Sequence, residues 1–374
     1  MPAGLGYAAS ADLLTQTADG RDLNELWADY QAAINEWNAD RNRLINFLTF
    51  PVTDPVEEVP DISKAGAEFE EASEYGVPKS YRPTVDHYNF GYDFKWYDIA
   101  SRFTWRFLSE APASQLDAIQ NQAMEADNRL VYTKVLQRIF NNTNNLASIR
   151  GNAYNVYTFY NGSNIEPPPP YKSNTFDNTH NHFLASGAAT IDPGDLQDML
   201  THLAHHGYAK TNGYKILGLF NKTEVDVIRS FRLGTNGALY DFVPVQGTNP
   251  MFLPQNTLLL GEQPAANSVP GFTTVGSYGD MLIVEEDHVP TKYGLALATG
   301  GPDAVGNPVG FREHANTNLR GMRLVKGRDA DYPLIDSYYV RGFGTGVRHR
   351  GAGVVMQITT NGTYTPPASF VYAA

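Results

Sequence analysis

From Pro51 to Trp96 the chain carries a segment that cannot fold as a helix and cannot build a core of its own. Pro51, Pro55, Pro60, Pro78 and Pro83 remove amide donors and hold the backbone extended. Residues 54 to 98 hold eleven acids against four bases. The segment ends in HYNFGYDFKW, where Tyr88, Phe90, Tyr92, Phe94 and Trp96 occupy every second position, the period of a strand with one aromatic face. Paired with the acidic run at 67 to 75, which includes Glu68, Glu70 and Glu71, this strand predicts a long hairpin. An apolar face of that size on so thin an element is expected to be covered by a neighbouring chain.

The flanking sequence is ordinary globular material. Asp22 and Glu25 form a capping-box pattern, and Leu23, Leu26, Trp27, Tyr30, Ile34, Trp37, Leu44 and Leu48 follow with helical spacing, predicting one amphipathic helix over about 22 to 48. Its two Trp suit packing outside a compact N-terminal unit, and ordinary core packing suits them equally. Pro112, Ser114 and Asp117 open a second helix, running with apolar residues to Ile139 and stopped by the Asn-rich 141 to 145. At 1.5 Å per residue such a helix is a rod of roughly 40 Å. NVYTFY at 155 to 160 reads as a strand, and Pro167 to Pro170 as a stiff connection. Asp192, Pro193 and Asp195 start a short helix that Gly207 ends. YKILGLF at 214 to 220 is a buried strand, followed by a helix capped by Asn221 and Glu224. DMLIVEED and KYGLALA flank a proline turn at 288 to 291 and read as two joined strands.

The C-terminal region reverses the charge. The chain as a whole has a net charge of −12, yet no acid follows Asp336, and Arg341, Arg348 and Arg350 lie in the strand-like YYVRGFGTGVRHRGAGVVMQI. Opposite patches of this kind can steer copies of one chain together. The overall charge argues against a free-standing nucleic-acid binder.

Chemistry has few carriers. At 374 residues, 42% apolar and 18% charged, the chain has room for two or three structural units. It has no Cys, which excludes disulfides, thiolate metal sites and cysteine nucleophiles. No apolar run approaches the ~18 residues of a membrane span. GFGTG at 342 to 346 imitates a dinucleotide loop, but strand-forming residues follow it where a helix is required. Histidines cluster at His180, His182, His202, His205 and His206. His202 and His206 are four apart on a helix, as metal-binding pairs are, but Leu203 stands where a zinc protease needs its Glu base. No metal, cofactor or catalytic residue is therefore expected, and a metal-dependent enzyme built on the His180–His206 cluster stays only as an alternative.

The order of arm, acidic hairpin, long helix, mixed unit and returning basic strand resembles the major capsid proteins of tailed bacteriophages, the Hong Kong 97 fold. The likeness is carried by DHVPTKYGLALA at 287 to 298, YKILGLFNKTEVDVIRSF at 214 to 231, the helix at 112 to 141 and the closing strand at 338 to 358. The resemblance implies an α+β fold with an N-arm over 1–50, an E-loop and its base over 51–111, a peripheral domain over 112–185 and 311–374, and an axial domain over 186–310. It implies a non-enzymatic shell subunit that forms pentamers and hexamers around double-stranded DNA, assembled in the bacterial host cytoplasm and resident in the virion. Implied partners are further copies of the chain, a separate scaffolding protein, a portal at one vertex, non-specifically held DNA and a possible decoration protein, with no membrane. An encapsulin-like compartment is the same fold with another cargo.

On that resemblance the assembly interface is expected to comprise Trp27, Trp37, Glu68, Glu70, Glu71, the aromatics 88 to 96, Arg341, Arg348 and Arg350. The arginines would meet a neighbour's acidic loop or packaged DNA, and reversing Arg348 and Arg350 is expected to stop closure while leaving a folded subunit. Some relatives cross-link Lys to Asn, for which Lys64 or Lys79 with Asn361 are candidates. An N-terminal scaffolding segment is not expected ahead of the arm.

Overall fold

A computed structural model describes residues 15–39, 43–60, 71, 74, 76, 87–149, 151–245, 274–327 and 336–370. Its first helix, α1 (Leu23–Ala39), buries Leu23, Leu26, Trp27, Tyr30 and Ile34, one stripe at intervals of three and four. The expected single helix to residue 48 is instead two, because α2 (Arg43–Leu48) is separate. Asn38, one residue before the end of α1, is a poor interior helix former. Asn38 instead clasps the backbone of Met322, donating to its carbonyl and accepting from its amide, each at 2.8 Å.

Four strands follow, β1 (Thr49–Val52), β2 (Val56–Pro60), β3 (His87–Gly91) and β4 (Lys95–Arg102), and then α3 (Trp105–Glu110). The long helix α4 (Ala113–Phe140) has 28 residues and is therefore about 42 Å long, matching the expectation closely. Pro112 gives its first turn no side-chain cap. Asp19 of the arm supplies one, its carboxylate accepting from the Ala113 amide at 3.1 Å. The Thr17 hydroxyl, and then that amide, hold Asp19 below the usual carboxylate range. Trp27, Leu26 and Tyr30 pack on Leu116 and Leu108, so the arm lies against its own chain here. Helical periodicity cannot tell a partner's surface from the chain's own.

After the hairpin β5 (Asn145–Ile149) and β6 (Asn152–Val156) come β7 (Phe183–Ala185), α5 (Pro193–Ala204), β8 (Lys215–Phe220), α6 (Lys222–Ile228), β9 (Phe242–Pro244), β10 (Thr274–Tyr278), β11 (Met281–Glu285) and β12 (Tyr293–Thr299). The strand expected at 155 to 160 thus lies earlier, at 152 to 156. The start of α5 at Asp192 is as read, and the structure adds a capping box there, with Asp192 and Asp195 each accepting the other's amide at 3.0 and 2.9 Å. Asn221 caps α6 through the Thr223 amide at 3.3 Å, whereas Glu224 accepts from the Lys292 amide. The chain closes with β13 (Val309–Glu313), β14 (Met322–Lys326), β15 (Asp336–Val347) and β16 (Gly353–Gln357).

Two large sheets organise these strands. The seven-stranded sheet has the order β7-β16-β12-β8-β11-β10-β9. β11 and β12 are joined by the expected proline turn but are not neighbours, since β8 lies between them, parallel to β11 and antiparallel to β12. The five-stranded sheet has β15 at its centre, with Tyr339 paired to Leu324 of β14 on one edge and to Ile99 of β4 on the other. The closing strand expected over 338 to 358 is two strands, β15 and β16, that enter different sheets; β7 and β16 lie in the sheet built mainly from 186–310. One core spans both sheets: Val131, Val135 and Ile139 of α4 meet Leu219 and Leu295 on one side and Phe311 and Phe343 on the other. A second core fills the space between the seven-stranded sheet and α5 and α6. Among the described residues no helix is long and apolar enough to cross a membrane.

Candidate assembly surface and histidine cluster

The aromatic alternation at 88 to 96 does not form one strand. It breaks over 92 to 94, where the chain crosses the face of β15, and the crossing depends on glycine. A Cβ on Gly344 would lie 1.5 Å from the Asp93 carbonyl oxygen, and one on Gly346 would lie 2.7 Å from the Gly91 carbonyl oxygen. Here GFGTG is strand, as expected, and its missing side chains make room for a second backbone. Asp93 is pinned from two sides, by Arg138 Nη2 at 2.9 Å and by the Thr345 amide at 2.5 Å. Sequence reading missed both partners; the clue was an arginine on the apolar stripe of α4, where it is only 1% exposed.

The crossing sends the five aromatics to different places. Tyr92 is fully buried and donates to Glu57 Oε2 at 2.8 Å; burial, and then that carboxylate, push its phenol up. Tyr88 and Phe90 are half-buried, Phe90 edge-on to Tyr157 and Tyr88 bonded through its hydroxyl to Glu166. Phe94 is half-buried beneath the Arg312 guanidinium, 5.1 Å from its ring centre. Trp96 is 50% exposed. Glu71 is exposed, while Glu68, Glu70, Lys64 and Lys79 lie outside the described residues.

The arginines are not a free basic surface. Arg341 pairs with Asp127 of α4 at 2.5 Å, both side chains being nearly inaccessible, and Trp37 donates to the same carboxylate at 3.2 Å. Arg350 is buried between the Tyr157 and Tyr160 rings and donates to the Thr158 carbonyl and to Asn164 Oδ1, each at 2.9 Å. Burial pulls its pKa below the ordinary value. Both guanidinium groups are thus engaged inside the chain and offer no open basic surface, and reversing Arg350 is expected to place an acid in the interior and disrupt the subunit, where the sequence reading expected a folded one. Arg348 is the partial exception: three-quarters buried, it pairs with Glu57 at the root of the acidic segment at 2.8 Å, but within its own chain.

What stays open is the outer edge of β4. Among the described residues β4 has β15 as its one neighbouring strand. Trp96 and Ile99 on β4 are each 50% exposed, and Trp105 just beyond it is 49% exposed. Large apolar side chains on an unpaired strand edge are a surface for another chain.

The histidines converge more closely than the helix pair His202 and His206 suggests. Ligand nitrogens of His180, His182, His205 and His206 all lie within 4.8 Å of one another. His202 turns its Nδ1 to the Asp198 carbonyl one turn back, at 2.9 Å. Burial, and then neighbouring histidines, lower the pKa values: to about 4 for His180 and His205, to about 3 for His206, and far down for the fully buried His182. Burial thus disfavours the charged imidazolium, and the neutral ring is the form in which imidazole binds metal.

No family model matches the chain, and no curated protein matches it. Among solved structures, a chain of Mycobacterium phage Patience is 42% identical, with 96% of this chain and 95% of that chain covered and a TM-score of 0.75. The bacteriophage PhiM1 mature capsid, 11% identical with a TM-score of 0.47 over 85% of this chain and 88% of that one, adds no argument. Nor does an encapsulin complex from Synechococcus elongatus, 12% identical with a TM-score of 0.46 over 87% and 90%. Identity at that level along nearly the full length of the Patience chain, together with the long helix and the two large sheets, establishes that the chain belongs to the major capsid proteins of tailed bacteriophages, with the Hong Kong 97 fold.

Proposed function

We propose that copies of this chain close into the pentamers and hexamers of an icosahedral shell around double-stranded DNA, assembling in the host cytoplasm. The observation that carries the reading is the edge of β4, unpaired among the described residues, with Trp96, Ile99 and Trp105 exposed at the root of the acidic segment. In this reading residues 51–111 are the E-loop and its base, laid over a neighbour. Residues 1–50 are the N-arm, 112–185 and 311–374 the peripheral domain, and 186–310 the axial domain, with β7 and β16 completing the axial sheet. The role is mechanical and not catalytic. A separate scaffolding protein, a portal at one vertex, a decoration protein and DNA held by its phosphates are the further partners.

Burial of apolar surface supplies the adhesion, at about 25 cal/mol per Å² removed from water, and exposed ion pairs add only ~0–1 kcal/mol each. Charge then selects register and partner. Glu68, Glu70 and Glu71 remain candidates for that role, whereas Arg341 and Arg350 hold the subunit's own fold. Electron microscopy of the protein co-expressed with its scaffold, followed by analysis of the shell contents, tests the proposal. Closed shells that take up DNA are expected. A protein that stays monomeric beside its scaffold would sink it, and shells filled only with protein cargo would move the chain to a compartment role.

A further inference from the structure

Hydrogen bonding alone leaves the histidine cluster unbalanced. His182 Nδ1 lies 2.7 Å from the Gly353 carbonyl and donates to it, so the neutral ring turns a bare Nε2 lone pair inward. That lone pair faces His180 Nε2 at 3.1 Å, and His180 Nε2 also faces His206 Nε2 at 2.9 Å. One nitrogen carries at most one proton. Either that proton is split between two acceptors or two lone pairs confront each other. His205 Nε2, at the same cluster, is buried with no hydrogen-bond partner among the described residues.

We propose that His180, His182, His205 and His206 form a structural site for one divalent transition ion per chain, Zn²⁺ by preference. A cation takes all four inward lone pairs at once and removes the conflict. Four imidazoles suit Zn²⁺, and a tetrahedral ion with bonds of about 2.0–2.1 Å spaces its ligand nitrogens about 3.3 Å apart, close to the separations seen around His180. The outer support that such a site needs is present. The Gly353 carbonyl fixes the tautomer of His182. Phe176 stacks on His206 at 4.2 Å and Tyr160 at 5.6 Å, fixing the ring plane.

The ligands come from two pieces of chain, the segment leading into β7 and the turn that ends α5. Both border β16, so an ion here would staple the helix that covers the seven-stranded sheet to the loop that enters it. With all four positions filled by protein, the site has no open place for water or substrate, which separates it from the catalytic arrangement weighed from the sequence.

The test uses the full-length protein, stripped with a chelator and then titrated with Zn²⁺ and Co²⁺. Uptake of one Zn²⁺ per chain, an intense tetrahedral Co²⁺ spectrum and a higher melting temperature with metal are expected. His180→Gln or His206→Gln should weaken binding by more than about 100-fold, whereas His202→Gln should leave it unchanged. The spectrum of the unaltered protein needs no variant, so poor folding of a variant does not rescue the idea. Absence of Zn²⁺ uptake, a weak octahedral Co²⁺ spectrum, or equal loss in His202→Gln would each overturn it.

Discussion

Two strands of similar length, β8 and β4, show how differently the two sheets are finished. In β8 the residues Ile216 to Phe220 are all buried, because strands flank it on both edges and apolar groups cover both faces. In β4 only Ser101 is buried, one edge has no partner among the described residues, and Trp96 and Ile99 are half exposed. Among the described residues the centre of the seven-stranded sheet is buried on both faces within the subunit. Among the described residues the five-stranded sheet leaves more apolar surface open on β4, which is where the proposed adhesion falls.

The largest expected break in this contrast comes from Gly344→Val. Its Cβ would overlap the Asp93 backbone, which cannot yield as a flexible side chain would, so a loss of at least about 3 kcal/mol is expected. Little folded subunit should be recovered, and native-like melting of the purified variant would show that the crossing is not obligatory. Next comes Arg341→Met, which strands Asp127 in the interior and should cost about 3–5 kcal/mol by denaturant unfolding. Adding Asp127→Leu should recover part of that loss; a double variant worse than the single would contradict the pairing.

Leu219→Ala, in the closed sheet, should cost about 2–5 kcal/mol without altering how surviving subunits associate. The double variant Trp96→Ser, Ile99→Ser inverts that pattern. Subunit stability should shift by only about 0.5 kcal/mol per site while shell yield collapses under the electron microscope. Unchanged shells would remove β4 from the interface.

The smallest effect is on pH dependence. Asp195 is pushed up to about 6, chiefly by burial, so the native state holds a proton that the unfolded chain releases near 3.8. Its contribution is complete below the unfolded value and is lost as pH rises toward 6. Asp195→Asn, which keeps the acceptor for the Asp192 amide, should flatten that part of the stability profile; an unchanged slope between pH 4 and 6 would exclude Asp195 as its source.

Local signals carried much of the architecture. The long helix, the start of α5 at Asp192 and Pro193, the β8 strand and the strand nature of GFGTG all rest on spacing within a few residues, and each stands within a residue or two of its expected bounds. The site was less legible. Alternating aromatics predicted a single face, yet the Asp93 crossing divides them, because period-two patterning reports that a residue alternates and not against which surface. The basic tail read as a surface, but two of its three arginines are interior, and their partners Asp127 and Asn164 lie 214 and 186 residues away in sequence. The histidine pair four apart was visible, while the tighter set needs His180 and His182 from a different segment.

The sequence by itself determined that one stretch of this chain is acidic, rich in proline and poorly suited to helix, since proline geometry and composition act within the stretch. Only the tertiary structure decided which charges are spent inside the subunit, which histidines meet, and which strand edge is left open. Those outcomes depend on contacts between residues far apart along the chain, and no local pattern encodes the partner.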